Sequence, residues 1–237
     1  MKTFVQQLAF ATAATFIGVS APIMPLPTVQ AASEQSEVLA QVKEALDTSL
    51  PVMLPKTVTV KAGKHLTAKT SVSKTGYKVV FYETADKIAV NAKQLDKISK
   101  HVVARIQLKQ YRSSSEAQAH IGYEKYSAIG GQKVSLGYGI NGYQDAGAGQ
   151  LYTAWNEGRW ALVTHTHTAK SEKGVTLAKR AVRYLENNML PAPERYGAIR
   201  LDAVGHNDYV MLQRQQYVLK VDKVEGMNLL KVTTSIR

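Results

Sequence analysis

The spacing of apolar and polar residues predicts a protein of mixed helix and strand. From Ser33 to Leu50 apolar residues recur at helical spacing and Pro51 follows, which predicts an amphipathic N-terminal helix within residues 32–50. Residues 56–91 alternate in short runs between polar turns, which predicts an antiparallel meander. Its predicted strands lie in the segments KTVTV, LTAKTSVS, YKVVFYET and IAVN.

Two segments in the middle of the chain have less regular patterns. Residues 92–112 begin with helical spacing and end with strand alternation, so we expect a short helix followed by a strand. Ser113 and Glu116 have the spacing of a capping box, which predicts a helix here despite Gly122. Residues 130–149 hold seven glycines among apolar and aromatic residues. This pattern indicates bulges and tight turns rather than a flexible linker.

The C-terminal part predicts a hairpin backed by a helix, followed by a second unit of the same plan. The segments GQLYTAW and RWALVTHTHT are typical of strands joined by a three-residue loop, Asn156 to Gly158. Residues 174–189 carry one apolar stripe, which predicts an amphipathic helix. The segment YGAIRLDAVG is typical of a further strand. The plan is repeated by VMLQRQQYVLKV, which predicts two strands and a polar turn, followed by MNLLKVTTSI, either a short helix or a strand.

These elements predict an α+β fold class, an antiparallel β-sheet with helices packed on it and a repeated hairpin–helix unit. A chain of 237 residues suits one large domain or two small ones. We therefore expect residues 51–237 to form a single α+β domain, with 51–128 and 129–237 as alternative halves. The net charge of +12, from 30 Lys and Arg against 18 Asp and Glu, favours anionic partners.

Residues 1–31 have the features of a signal peptide. Lys2 precedes a long uncharged stretch, and Val29-Gln30-Ala31 provides the small-x-small pattern of a cleavage site. An uncleaved N-terminal anchor is the alternative. The chain has no cysteine, so it offers neither disulfides nor a lipid-anchor cysteine, and no later apolar run is long enough to span a membrane. We expect a secreted or extracytoplasmic protein, associated with the cell wall of a Gram-positive bacterium, with a periplasm as the alternative.

The phrases LGYGINGYQDAGAG, WNEGRWAL and AVRYLENNMLP, together with the closing hairpin, resemble uncharacterised exported or lipoprotein-like proteins of Gram-positive bacteria. The resemblance covers about residues 50–237. The order of elements also resembles the PsbP-like group of small α/β folds. This resemblance implies helices covering an antiparallel sheet and carries no function with it.

The strongest candidate site is a group of basic residues at the start of the predicted 174–189 helix and along it. They are Lys170, Lys173, Lys179, Arg180 and Arg183. Outside a Gram-positive membrane the abundant polyanions are teichoic acids and anionic lipid headgroups, so an anionic cell-wall polymer or lipid headgroups are the expected partners. A purely solubilising role for these charges is the alternative. The export signal argues against nucleic acid as a partner, and the sequence leaves the oligomeric state open.

A second candidate is a groove for a small ligand or a glycan beside the glycine-rich loop. Five aromatic residues gather there in the sequence: Tyr138, Tyr143, Tyr152, Trp155 and Trp160. Exposed rings stack on sugars, whereas buried rings fill a core. The sequence leaves both interpretations open.

A third candidate is a metal site or a metal-dependent enzyme built on His165 and His167. Two residues apart on a predicted strand, these side chains point to the same face. A third ligand would come from another residue, for which His101, His120, His206, Asp145 and Glu157 are the candidates. The chain has none of the usual nucleophile or metal motifs, so we expect no catalytic activity and no cofactor.

Overall fold

The computed structural model describes residues 27–97 and 101–237, with side chains described from Ser33 onward. Of the predicted signal peptide, only residues 27–31 lie within the described part. They form the beginning of the first helix, α1, which spans Pro27–Ala45. The predicted N-terminal helix is therefore present, but it ends earlier than the pattern indicated.

In the described part of the chain ten strands form one sheet. Their bounds are β1 His65–Ser73, β2 Gly76–Thr84, β3 Val102–Gln110, β4 Gln132–Gly137, β5 Ile140–Gly147, β6 Gln150–Glu157, β7 Trp160–His167, β8 Gly197–Asp202, β9 Tyr209–Arg214 and β10 Tyr217–Asp222. The remaining α-helices are α2 Ser114–Ala119, α3 Tyr126–Ile129, α4 Ser171–Leu185 and α5 Gly226–Thr234. Single turns of 3-10 helix cover Lys93–Lys97 and Thr168–Lys170.

The strand order across the sheet is β1-β2-β3-β10-β9-β8-β7-β6-β5-β4. Each neighbouring pair is antiparallel except β7 and β8, which are parallel. A parallel pair requires a long crossover connection, and α4 provides it. The predicted α+β fold class is confirmed. The prediction of an antiparallel sheet holds for every neighbouring pair except β7 and β8.

Three helices cover one face of the sheet, which we call the covered face. Apolar side chains of α1, α4 and α5 pack there against the strands in one continuous core that contains Phe81, Trp155 and Leu219. The short helix α2 packs on the opposite face, which we call the open face. There Ala117 and Ile121 contact Ala198 and Val218. The larger core and the smaller one therefore lie on opposite sides of the same sheet.

The predicted strand in KTVTV does not form, and residues 57–60 are irregular. The side-chain amide of Gln35 on α1 explains this difference. Its Nε2 donates to the Val58 carbonyl at 2.6 Å, and the Val58 amide donates to Oε1 at 3.3 Å. Because a side chain satisfies these backbone groups, Val58 is buried without a neighbouring strand.

The predicted strand in IAVN is also absent. Asn91 adopts a left-handed conformation with φ 63° and hydrogen-bonds to the middle of strand β1 instead. Its amide donates to the Ala68 carbonyl at 2.9 Å, and its Oδ1 accepts from the Thr70 amide at 2.7 Å. Asn tolerates this conformation better than most residues and hydrogen-bonds backbone groups readily, so the segment forms a turn.

The tight turns predicted in the glycine-rich stretch are confirmed. Tyr138 and Gly139 connect β4 to β5, Ala148 and Gly149 connect β5 to β6, and these four residues have positive φ. In the next hairpin Glu157 pairs with Trp160, so the loop has two residues rather than the predicted three.

Helices α2 and α4 are both shorter than predicted. Ser113 caps α2 by accepting from the Glu116 amide at 3.1 Å, as the capping box predicts. However, α2 ends at Ala119, before Gly122 with φ 69°. Helix α4 ends at Leu185, which leaves Met189 outside the apolar stripe and 87% exposed.

The hairpin–helix unit occurs twice, as β6–β7–α4 and as β9–β10–α5. The final apolar segment is therefore a helix, and both helices pack into the same core. Within residues 27–97 and 101–237, no helix is long and apolar enough to cross a membrane.

Candidate functional site

The basic residues predicted on α4 are exposed. Glycine and apolar residues of this helix, from Gly174 to Leu185, face the core, so the polar positions between them face water. All five predicted cations are exposed: Lys170, Lys173, Lys179, Arg180 and Arg183. In the part of the chain that the structure describes, none of the five forms a salt bridge. Their charges are therefore available to an outside partner.

Three of these cations line one cleft of about 780 Å³, which we call the α4 cleft. Lys170, Lys173 and Arg180 form one wall, and the loop after β8 with the start of α5 forms the other. Three acids, Glu172, Asp202 and Glu225, also line it. Glu225 pairs with His206 at 2.7 Å, and both side chains are exposed. The three cations thus lie along one side of a concave surface rather than on a flat one.

A buried carboxylate holds the far wall of the α4 cleft together. Asp208 accepts hydrogen bonds from the Asp202 amide at 3.0 Å and from the Gly226 amide, at the start of α5, at 3.2 Å. Burial raises the pKa of Asp208, and these two hydrogen bonds offset part of the effect. Asp208 therefore links the end of β8 to the start of α5.

The five aromatic residues of the second candidate do not form one groove. Trp155 and Trp160 are 0% and 4% exposed and belong to the core on the covered face. Tyr143 and Tyr152 are half-buried, and the strand register places them on the open face. Tyr138 lies 61% exposed at the tip of the β4–β5 hairpin. The predicted groove must be corrected, because the two tryptophans are not available to line it.

The two histidines share the open face, but their surroundings differ. His165 is buried, its Nε2 lies 2.6 Å from Gln150 Oε1, and its Nδ1 lies 3.1 Å from Asp202 Oδ1. The Nδ1 contact has the distance of an ion pair without the alignment of a hydrogen bond. His167 is exposed, and its ring centre lies 6.0 Å from that of His165.

Asp202 is the acidic partner of His165, and no sequence pattern indicated this pairing. Burial raises the pKa of Asp202, but hydrogen bonds from the Val204 amide, the contact with His165 and the Gly205 amide outweigh it and lower the pKa below its usual range. Both nitrogens of His165 therefore face oxygens of the protein. Among the residues that the structure describes, no group of three or more His, Asp or Glu side chains is arranged to hold a metal ion.

The open face carries a polar row that sequence reasoning missed. Arg200, Tyr209, Asp222 and Arg105 are successive register partners across β8, β9, β10 and β3. With Lys220 beside them, these side chains line a pocket of about 420 Å³, which we call the open-face pocket. It shares His206 with the α4 cleft but contains none of the basic residues of α4.

Asp222 is the most heavily used carboxylate of this pocket. It receives both Nε and Nη2 of Arg105 at 2.6 Å, and the Lys220 ammonium lies 3.3 Å away. Burial raises the pKa of Asp222, but these cations outweigh it and lower the pKa below its usual range. Its bond to Asp222 in turn raises the pKa of Arg105. A bidentate pair of this kind is specific in geometry as well as favourable in energy.

The sequence does contain a signal for this row, although a weak one. In RIQLK, IRLD and VLKVD charged or polar residues occupy alternate positions between apolar ones. This alternation is typical of a strand with one wet face. The alternation does not show which strands are neighbours. The grouping of these side chains in one pocket could therefore not be predicted from the sequence.

A comparison with protein-family models, with curated proteins and with solved structures found no match for this chain. The resemblance to exported proteins of Gram-positive bacteria and to the PsbP-like group therefore stays a prediction.

Proposed function

We propose that this protein is a non-enzymatic, extracytoplasmic binding protein that associates with a phosphate-bearing anionic polymer of the cell envelope through α4. The observation that carries the proposal is the group of five exposed cations without salt bridges, four on α4 and Lys170 directly before it, three of which line the α4 cleft. Such a concentration of like charge raises the local concentration of anions and speeds their association.

The shape of the surface favours a polymer over a membrane. A helix that binds a bilayer inserts apolar side chains below the headgroups. The apolar stripe of α4 is instead consumed by the core. The large apolar side chains that are exposed in the described residues, Val72, Ile129, Tyr138 and Met189, do not line the α4 cleft. A single flexible chain of phosphates can enter the cleft, whereas a bilayer would meet only its rim.

A purely solubilising role is the competing interpretation of these charges. Solubility depends on net charge and on its distribution over the whole surface, and lysines at many positions would serve it equally. A binding role instead requires cations at particular positions. The two interpretations therefore differ in what happens when equal numbers of charges are removed from different places.

The test is a pull-down of the purified protein with cell walls and with extracted wall polymer, across salt from about 0.05 to 1 M. The cleft variant carries Lys170→Gln, Lys173→Gln and Arg180→Gln. The matched control carries Lys74→Gln, Lys133→Gln and Arg214→Gln, which are exposed and remove the same charge elsewhere. We expect binding that weakens as salt rises, is lost in the cleft variant and persists in the control.

Three results would contradict the proposal. Retention that does not change at high salt would show that charge does not drive binding. Equal loss in both triple variants would show that only net charge matters. Binding to vesicles of phosphatidylglycerol, without binding to wall polymer, would assign the surface to lipid headgroups.

A further inference from the structure

The open-face pocket contains more positive charge than its own acids neutralise. Four cations line it, Arg105, Arg200, Lys220 and Lys223, against two carboxylates, Asp208 and Asp222. Asp222 is shared by Arg105 and Lys220, as described above. The two carboxylates are buried, Arg105, Arg200 and Lys220 are half-buried, and Lys223 is exposed.

Arg200 and Lys223 are the cations of this pocket that form no salt bridge in the described residues, and of the two only Arg200 is half-buried. The Nε of Arg200 is buried without a hydrogen-bond partner. Its guanidinium lies 5.6 Å from the centre of the Tyr152 ring. A ring face orients a guanidinium but accepts none of its N–H groups as an oxygen would. A buried hydrogen-bond donor without a partner is destabilising, so the presence of an unpartnered Arg200 Nε requires an explanation.

The neighbours of Arg200 define where a ligand would sit. Tyr209 is its register partner on β9, and the ammonium of Lys220 lies 5.8 Å from the centre of the Tyr209 ring. Arg200 and Lys220 lie on β8 and β10, the two strands next to the strand of Tyr209, and all three residues line the pocket. A planar oxyanion in the pocket would therefore meet cationic side chains from both neighbouring strands.

The acids in the pocket wall limit the charge of the ligand. Asp222 lies beside Tyr209 in the same row, and Asp208 precedes Tyr209 in the chain. Both would repel a dianion more strongly than a monoanion. A guanidinium matches the two oxygens of a carboxylate in a bidentate manner.

We propose that the open-face pocket binds the carboxylate of a small monoanionic organic acid, with Arg200 as the principal contact and Lys220 as the second. The carboxylate would accept hydrogen bonds from the Arg200 guanidinium, which has no acidic partner in the described residues. This proposal does not rest on the polymer-binding function of α4, because none of its residues belongs to that helix.

The test titrates the purified protein with sodium propionate and with inorganic phosphate and follows the Nε–Hε signals of arginine by NMR. We expect saturable, one-to-one binding of propionate that shifts the Arg200 signal, and weaker binding of phosphate. Arg200→Gln should weaken propionate binding about tenfold or more, as expected for the loss of a charge-assisted contact. Arg200→Lys keeps the charge without the bidentate geometry and should give an intermediate affinity.

Two matched controls separate this site from other cations. Arg214→Gln removes an exposed arginine of the same sheet, and Arg180→Gln removes one from the α4 cleft. Propionate binding should be unchanged in both. Equal weakening in these controls, tighter binding of phosphate than of propionate, or no saturable shift of the wild-type Arg200 signal in the millimolar range would overturn the proposal. The wild-type titration decides the question even where Arg200→Gln fails to fold.

Discussion

Substituting alanine for Gly197 adds a single methyl group that tests the packing between the parallel strands β7 and β8. Gly197 pairs with Trp160, and the indole ring lies where a side chain would begin. A Cβ at position 197 would meet Cε3 and Cζ3 of Trp160 at 2.4 Å, well under the 3.0 Å that real Cβ atoms observe. Trp160 is buried in the core, so its ring cannot move without displacing its neighbours.

The substitution Gly197→Ala should therefore lower the free energy of unfolding by about 2–3 kcal/mol, the range of an overpacked core. Urea denaturation followed by far-UV circular dichroism measures this change without relying on tryptophan fluorescence. Gly147→Ala is the matched control, because no atom lies within 4 Å of its added Cβ. We expect that variant to change stability by less than about 0.5 kcal/mol.

A double-mutant cycle with Trp160→Leu separates the clash from a general intolerance of alanine. The smaller side chain makes room for the methyl group, so the double variant should be more stable than the sum of the single changes implies, by about 1–2 kcal/mol. Additive effects in the cycle, or a cost of Gly197→Ala below about 0.5 kcal/mol, would refute the Gly197–Trp160 contact and the strand register that depends on it.

Three further outcomes are expected. Asp222→Asn should lower stability by about 1.5–3 kcal/mol at neutral pH through loss of the charged contacts of Arg105. Because the folded-state pKa of Asp222 is lowered, the stabilisation by its charge is present above the unfolded pKa of about 3.9 and is lost as pH falls through the folded pKa. The free energies of unfolding of wild type and Asp222→Asn should therefore converge in acid, and a difference that persists there would contradict this. Burial raises the pKa of Glu157, so its charge is unfavourable at neutral pH. Glu157→Gln keeps an acceptor for Trp155 Nε1 and should be at least as stable as wild type at pH 7 by urea denaturation, and the difference should close as pH falls from the folded pKa to the lower unfolded pKa. A destabilised Glu157→Gln protein would contradict this sign. Gln35→Ala should cost about 1–2 kcal/mol and expose the Val58 amide to hydrogen exchange, and unchanged protection of that amide would rule out the bridging role of Gln35.

Local patterns predicted the elements whose partners are close in the chain. The hairpin β6–β7 and helix α4 follow from alternation, a glycine turn and an apolar stripe within about forty residues. The two wrong strands share one cause, a side chain that replaced a strand partner. Gln35 bonds Val58 and Asn91 bonds Thr70, each across more than twenty residues, and neither bond leaves a trace in local periodicity.

The candidate sites show the same division. The basic residues of α4 could be predicted because charge on the outer face of an amphipathic helix follows from spacing alone. The open-face pocket could not be predicted, because Arg105 and Asp222 are 117 residues apart and meet only when β3 pairs with β10. The burial of Trp155 and Trp160 depended on which sheet face the helices cover, and composition does not decide that.

The pairing of β3 with β10 also sets the time at which the sheet can be completed. The first three strands find their inner neighbour only when residues 217–222 are present, so in a chain that emerges from its N-terminus the edge of β3 that faces away from β2 stays open until the end. Closing so long a loop before any contact rewards it slows folding, and we expect a folding time of about milliseconds to seconds.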